Sequence, residues 1–150
     1  MIILGIDPGT ATTGYGLVKY ENEEVKALDF GSIRTSADLE PEQRLKEIHE
    51  DIKSLIDKYK PKALAIESVY FFKNAKSAIP VGQARGVAML TAVENNLEVY
   101  EFTPLQIKMA MTGYGKAKKK QVQKMVKEHL DLEEIPKPND AADALGAALC

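Results

Sequence analysis

Apolar side chains follow two different rhythms along this chain. Residues 2–6 are a short apolar run closed by Asp7, Pro8 and Gly9, the pattern of a buried strand that ends in a turn. Residues 14–20 and 25–34 read as two further strands around a polar turn at 21–24. Three strands joined by short turns predict an antiparallel meander. From residue 41 to 59 the rhythm becomes helical, with Leu45, Ile48, Ile52, Leu55 and Ile56 on one stripe. Pro41 at its start and Pro61 just past its end suit those bounds. Residues 63–66 are again a short apolar run closed by an acid, Glu67. A helix rich in alanine and other small side chains is predicted over 76–95 and a fifth strand over 97–102. The remainder, 104–150, reads as three helical pieces, broken at Gly113-Tyr114-Gly115 and at Pro136-Lys137-Pro138.

The predicted order is three strands, then helix, strand, helix, strand, then helices. A helix between the fourth and fifth strands implies parallel neighbours, whereas the opening meander is antiparallel. The expectation is an α/β fold, a mixed five-stranded sheet flanked by helices. At 150 residues it reads as one domain, 1–150, long enough to bury a proper core.

Composition changes this picture little. The chain is 45% apolar and 28% charged, ordinary for a soluble globular protein. No window approaches the ~18 apolar residues of a membrane span, and the apolar start is cut by Asp7 without a cationic leader. One cysteine, Cys150, permits no disulfide within the chain. A cytoplasmic protein is expected.

Charge distribution matters more than the net value of −2. Between Ser68 and Val93 lie Lys73, Lys76 and Arg85 and no acid. Between Thr103 and Lys127 lie Lys108, Lys116, Lys118, Lys119, Lys120, Lys124 and Lys127, again with no acid. Ordinary solvated faces intersperse both signs, so this segregation points to a polyanion-binding surface.

Four carboxylates stand out by position. Asp7 and Glu67 each close an apolar strand, and Asp140 and Asp143 open the last helix. Residues three apart on a helix differ by about 60° around its axis and project the same way. If the first and fourth strands are adjacent and parallel, Asp7 and Glu67 emerge side by side. The last helix then has only to cross that edge to complete a cluster. Clustered carboxylates resist joint ionisation without a cation, and hard oxygen donors without cysteine or clustered histidine select Mg²⁺ or Mn²⁺ over zinc. Alone, Asp7 is also an ordinary turn residue, Glu67 a strand end, and the helical pair a favourable helix start.

These residues resemble the RuvC family of Holliday junction resolvases. The resemblance runs over nearly the whole chain: GIDPGTATTGYG at 5–16, ESV at 67–69, KNAKSA at 73–78, GQARG at 82–86, KKQVQKMV at 119–126 and DAADALGAAL at 140–149. It implies an RNase H-like fold and a homodimer that places two active sites on one four-way DNA junction. It also implies two Mg²⁺ ions (with Mn²⁺ as substitute) held by Asp7, Glu67, Asp140 and Asp143. The products would be a 5′ phosphate and a 3′ hydroxyl from paired symmetric cuts in DNA recombination and repair.

Two basic residues near the scissile phosphate match Lys108 and Lys119, with Lys118 and Lys120 as alternatives to the latter. The aromatic that the family inserts at the junction centre matches Tyr70, beside Phe71 and Phe72. Further DNA contacts are expected from Lys73, Lys76, Arg85, Lys116, Lys118, Lys120 and Lys124. The dimer helix corresponds to residues 75–95, where Gly82, Ala84, Gly86 and Ala88 permit close packing. A branch-migration motor of the RuvA–RuvB type is the partner such an enzyme would work beside. Two other readings stay open: a sugar-kinase or Hsp70-type ATPase, which shares the Asp7-Gly9-Thr10 turn but needs a second domain, and a junction-binding scaffold without turnover.

Overall fold

A computed structural model describes residues 1–68 and 75–150. Its elements are β1 (Ile2–Asp7), β2 (Thr12–Glu21), β3 (Glu24–Arg34), α1 (Pro41–Tyr59), β4 (Ala63–Glu67), α2 (Ala75–Glu94), β5 (Glu98–Phe102), α3 (Pro104–Thr112), α4 (Lys119–His129) and α5 (Asn139–Leu149). The strands form one sheet in the order β3-β2-β1-β4-β5. Pairings of β1 with β2 and of β2 with β3 are antiparallel. Those of β1 with β4 and of β4 with β5 are parallel. This is the mixed, helix-flanked sheet that the hydrophobic pattern predicts, and its architecture is RNase H-like.

Period-two alternation sorts the strand side chains onto two faces. Leu4, Ile6, Leu17, Leu64 and Ile66 join Ile48, Ile52 and Ile56 of α1 and Ala84, Ala88 and Ala92 of α2 in one core. On the other face Val18 and Ala65 pack with Ile107, Met111, Val126 and Leu145 from α3, α4 and α5. The chain is thus three layers, helices on both sides of the sheet. Leu17 and Val18 serve opposite cores by this alternation, and where they pair with Asp29 and Ala27 the register skips Leu28, the extra residue of a β-bulge in β3.

Helix ends follow local chemistry. The Thr103 hydroxyl accepts from the Gln106 N–H at 3.1 Å, and the Gln106 side chain accepts from the Thr103 N–H at 2.8 Å. This reciprocal cap starts α3. Gly113, at φ 72°, ends it in the left-handed region. Among the described residues no helix is long and apolar enough to cross a membrane.

Two expectations change in detail. The second expected break widens: α4 ends at His129, seven residues before Pro136. The small residues of α2 also do not share one face, because Ala84 and Ala88 are buried within the chain. Residues two apart on a helix diverge by about 160–200°, so Gly86 looks the other way. Its missing Cβ would meet nothing within 4 Å. That outer side carries Ile79, Leu90 and Val93, each 58–69% exposed.

Candidate metal centre and its basic groove

Alternation along β1 and β4 decides where the first two acids point. Leu4 and Ile6 face the α1–α2 layer, so Asp7, one residue on, faces α5. Glu67 follows Ala65 and Ile66 with the same phase. The parallel register pairs Ile6 with Ile66, which leaves Asp7 and Glu67 as neighbours at the carboxyl ends of adjacent strands.

Helix α5 reaches these strand ends because two positions opposite it carry no side chain. A Cβ on Gly14 would lie 2.1 Å from the Asp140 carbonyl oxygen, and one on Gly5 would lie 1.9 Å from that of Ala144. Both distances are far inside contact, so only glycine lets the helix backbone rest on β1 and β2. Ala141, Ala142, Ala144, Ala147 and Ala148 of α5 are buried, which keeps the approach close from the helix side. The sequence reading named the carboxylates and missed this device, although Gly5, Gly14 and Gly16, all facing the alanine-rich α5, are its visible signal.

The result is a cluster. Carboxylate oxygens of Asp7, Asp140 and Asp143 all lie within 4.8 Å of one another, in an arrangement that could hold a metal ion. Glu67 stands just outside this trio but feels it. Burial first, and then the Asp143 charge, raise its pKa above the usual carboxylate value, opposed by Lys119 and Lys108. Asp7 is affected most: burial, followed by Asp143, Asp140 and Glu67, pushes its pKa up to about 8, with Lys119 opposing. Such an acid ionises readily only when a cation joins the cluster. All four donors are hard oxygens, which fits Mg²⁺ or Mn²⁺.

Of the three neighbouring lysines, only Lys119 has an ion pair among the described residues. Its Nζ lies 2.9 Å from Asp143 Oδ2, and that hydrogen bond raises the pKa of Lys119. Lys118 and Lys120 flank it, both exposed. Lys108 and Lys119 line one groove of ≈ 290 Å³ together with Glu67, Asp143, Pro104, Ile107, Val122 and Gly146. Carboxylates and ammonium groups thus line the same groove, a donor set suited to metal ions and a phosphate group together.

The loop after Asp7 is steadied by residues the sequence reading did not single out. Arg44 Nε donates to Thr35 Oγ1 at 2.8 Å, and the Thr35 hydroxyl donates to the Thr10 carbonyl at 2.6 Å.

Other expected DNA contacts fall in several places. Lys116 and Lys124 are exposed on the α3–α4 side with Lys118 and Lys120. Lys76 is exposed in the first turn of α2. Arg85 is held instead by Glu101 of β5 and contacts Met89 Sδ at 2.9 Å. Its side chain is 18% exposed. Tyr70, Phe71, Phe72 and Lys73 lie outside the described residues.

Comparison with known proteins bears on the chain as a whole. The family model "Crossover junction endodeoxyribonuclease RuvC" matches residues 3–150. A protein of that name from Alkaliphilus metalliredigens is 54% identical over 150 residues, covering 100% of this chain and 92% of the relative. The Thermus thermophilus RuvC structure superposes with a TM-score of 0.93 at 34% identity, covering 99% of this chain and 92% of that one. A second structure, T. thermophilus RuvC in complex with Holliday junction substrate, gives 0.90 at 32% identity, covering 99% and 91%. The strand-end acids, the helix that completes their cluster and the full-length match together place the chain in the RuvC family of crossover junction endodeoxyribonucleases.

Proposed function

We propose that this protein resolves four-way DNA junctions, as a homodimer in the cytoplasm, by paired symmetric cuts at two copies of the carboxylate cluster. The observation that carries the reading is the convergence of Asp7, Asp140 and Asp143 from β1 and α5 beside the lysine-lined groove. Support for the substrate comes from the relative at 32% identity whose structure holds a Holliday junction.

Asp7, Glu67, Asp140 and Asp143 would hold two Mg²⁺ ions, with Mn²⁺ able to replace them. When bound, the ions supply the positive charge that favours water attack on phosphorus and departure of the 3′ oxygen. The chain's own residues set the geometry around that reaction. Asp143 holds the Lys119 ammonium at 2.9 Å, where it can stabilise charge that develops on the phosphate. Lys108 lines the same groove and would fix the strand's backbone. Glu67, on the strand beside Asp7, would complete the donor set once a cation offsets the mutual repulsion. Cleavage would leave a 5′ phosphate and a 3′ hydroxyl, ends that can be rejoined.

Selection of a four-way junction needs two sites held at a fixed separation, which the outer side of α2 would provide. Ile79, Leu90 and Val93 are exposed there around a Gly86 that leaves open space, suitable for two-fold packing. Tyr70, with Phe71 beside it, would enter the junction centre, and a branch-migration motor would supply the junction. Cleavage of a four-way junction, a flap, a linear duplex and an RNA–DNA hybrid, each with Mg²⁺ and with EDTA, tests the proposal. Paired nicks confined to the junction and lost with EDTA are expected. Cutting of the hybrid or flap in preference would overturn the substrate assignment, and tight junction binding without cutting in any metal would favour a scaffold.

A further inference from the structure

We infer that the corner between α3 and α4, built from Tyr114, Leu105 and Met109, is a second DNA-contacting surface on which a nucleoside ring of the bound strand packs. The inference rests on the proposed action on junction DNA and adds a contact outside the catalytic groove. Helix α3 is apolar on two sides. Ile107 and Met111 are buried in the core, while Leu105 and Met109 point outward at 59% and 49% exposure. Tyr114, two residues past the end of α3, is 57% exposed and lines a hollow with Thr112, Ala117, Gln121, Lys124 and Met125.

The tyrosine sits on a backbone that is held in place. The Thr112 hydroxyl donates to the Lys108 carbonyl at 2.7 Å and accepts from the Tyr114 N–H at 3.1 Å. Lys108 itself lines the groove beside Glu67 and Asp143. The Tyr114 backbone is therefore two hydrogen bonds from the backbone of a groove residue. A strand leaving the groove over α3 would reach this corner.

Charge decides the occupant. Lys108, Lys116, Lys118, Lys120 and Lys124 make no ion pair among the described residues. Lys118 and Lys120 also stand at the start of α4, where the helix dipole disfavours cations. An apolar patch beside uncompensated ammonium groups suits a strand that offers phosphates and ring faces together. The exposed side of α2 differs, since its Arg85 is already paired with Glu101.

The test is junction affinity measured by fluorescence anisotropy across a salt series, for wild type, Tyr114→Ala, Tyr114→Phe, Met109→Gln and Lys116→Gln. Tyr114→Ala is expected to weaken binding about tenfold with the slope of log Kd against log salt unchanged, because no phosphate contact is lost. Tyr114→Phe should bind as wild type, Met109→Gln should weaken binding in the same salt-independent way, and Lys116→Gln should lower the slope by about one. Unchanged affinity in both Tyr114→Ala and Met109→Gln would overturn the inference and leave the corner to a protein partner. An equal loss in Tyr114→Phe would assign the contact to the hydroxyl and overturn ring packing. Failure of the wild type to bind a junction would sink the proposed function as well, whereas normal wild-type binding with indifferent variants sinks only this contact.

Discussion

Asp7 carries the largest electrostatic strain in the described structure, with a pKa raised from 3.8 to about 8 by burial and then by Asp143, Asp140 and Glu67. A carboxyl whose native pKa is raised keeps its proton in the folded state at a pH where the unfolded chain has lost it. Between those two values the native state binds the extra proton, so stability falls as pH rises. The metal-free protein should therefore melt at a lower temperature at pH 8 than at pH 5, and Mg²⁺ should restore it. Asp7→Asn should remove most of that slope and raise the metal-free midpoint at pH 8, by about 2–4 °C for each kcal/mol of relief. Thermal unfolding across pH, with and without Mg²⁺, measures both effects. A variant that is destabilised and keeps the slope would contradict the assigned cause. For the same reason cleavage at subsaturating Mg²⁺ should accelerate as pH rises toward 8, because binding of the ion displaces the Asp7 proton; a flat profile would count against it.

At the scale of elements, the hydrophobic rhythm was enough to read the sheet and most helix bounds. Short apolar runs closed by Asp7 and Glu67 read as buried strands, and the stripe from Leu45 to Ile56 as a helix; the structure has β1, β4 and α1 there. That the two acids are neighbours depends on β1 and β4 being adjacent and parallel, a condition the sequence leaves open and the structure meets. How closely α5 approaches was not legible in apolar periodicity, because the answer lies in absent side chains. Gly5 and Gly14 leave room for the α5 backbone, and a pattern of hydrophobic and polar positions does not price a missing Cβ. The burial of Ala84 and Ala88 inside the chain was hidden similarly, since small residues suit either a core or an interface. Gly14→Ala should push α5 off the strand, costing about 1–3 kcal/mol as overpacking does. It should abolish nicking through the displaced Asp140 while the lysine side keeps its affinity for junctions. Chemical denaturation and a binding assay on that variant check the two halves. Full activity in Gly14→Ala would contradict the geometry of the approach.

Across the whole molecule, acid-free stretches of sequence became a surface only once α3 and α4 were folded together. The net charge of −2 hides it, and contact order along the chain does not show that Arg85 would find Glu101 while Lys116, Lys118, Lys120 and Lys124 would find no carboxylate among the described residues. Junction affinity should fall steeply with salt, each phosphate-contacting lysine contributing about 0.9 to the slope. The exposed side of α2 makes a separate prediction. Leu90→Glu places a charge in the proposed two-fold contact, so sedimentation should show a monomer with an unchanged fold and cleavage should give unpaired single nicks. A dimeric Leu90→Glu protein would move the interface elsewhere.

If the carboxylate cluster cuts a strand which the lysine surface holds, binding and cutting are separable. The deciding measurement follows junction binding and nicking in the same samples, with saturating Mg²⁺, for wild type and Asp7→Asn. Both proteins are expected to bind the four-way junction with similar affinity, and only the wild type to nick it, on two symmetry-related strands. Nicking by Asp7→Asn at the wild-type rate would rule out the carboxylate cluster as the cutting site.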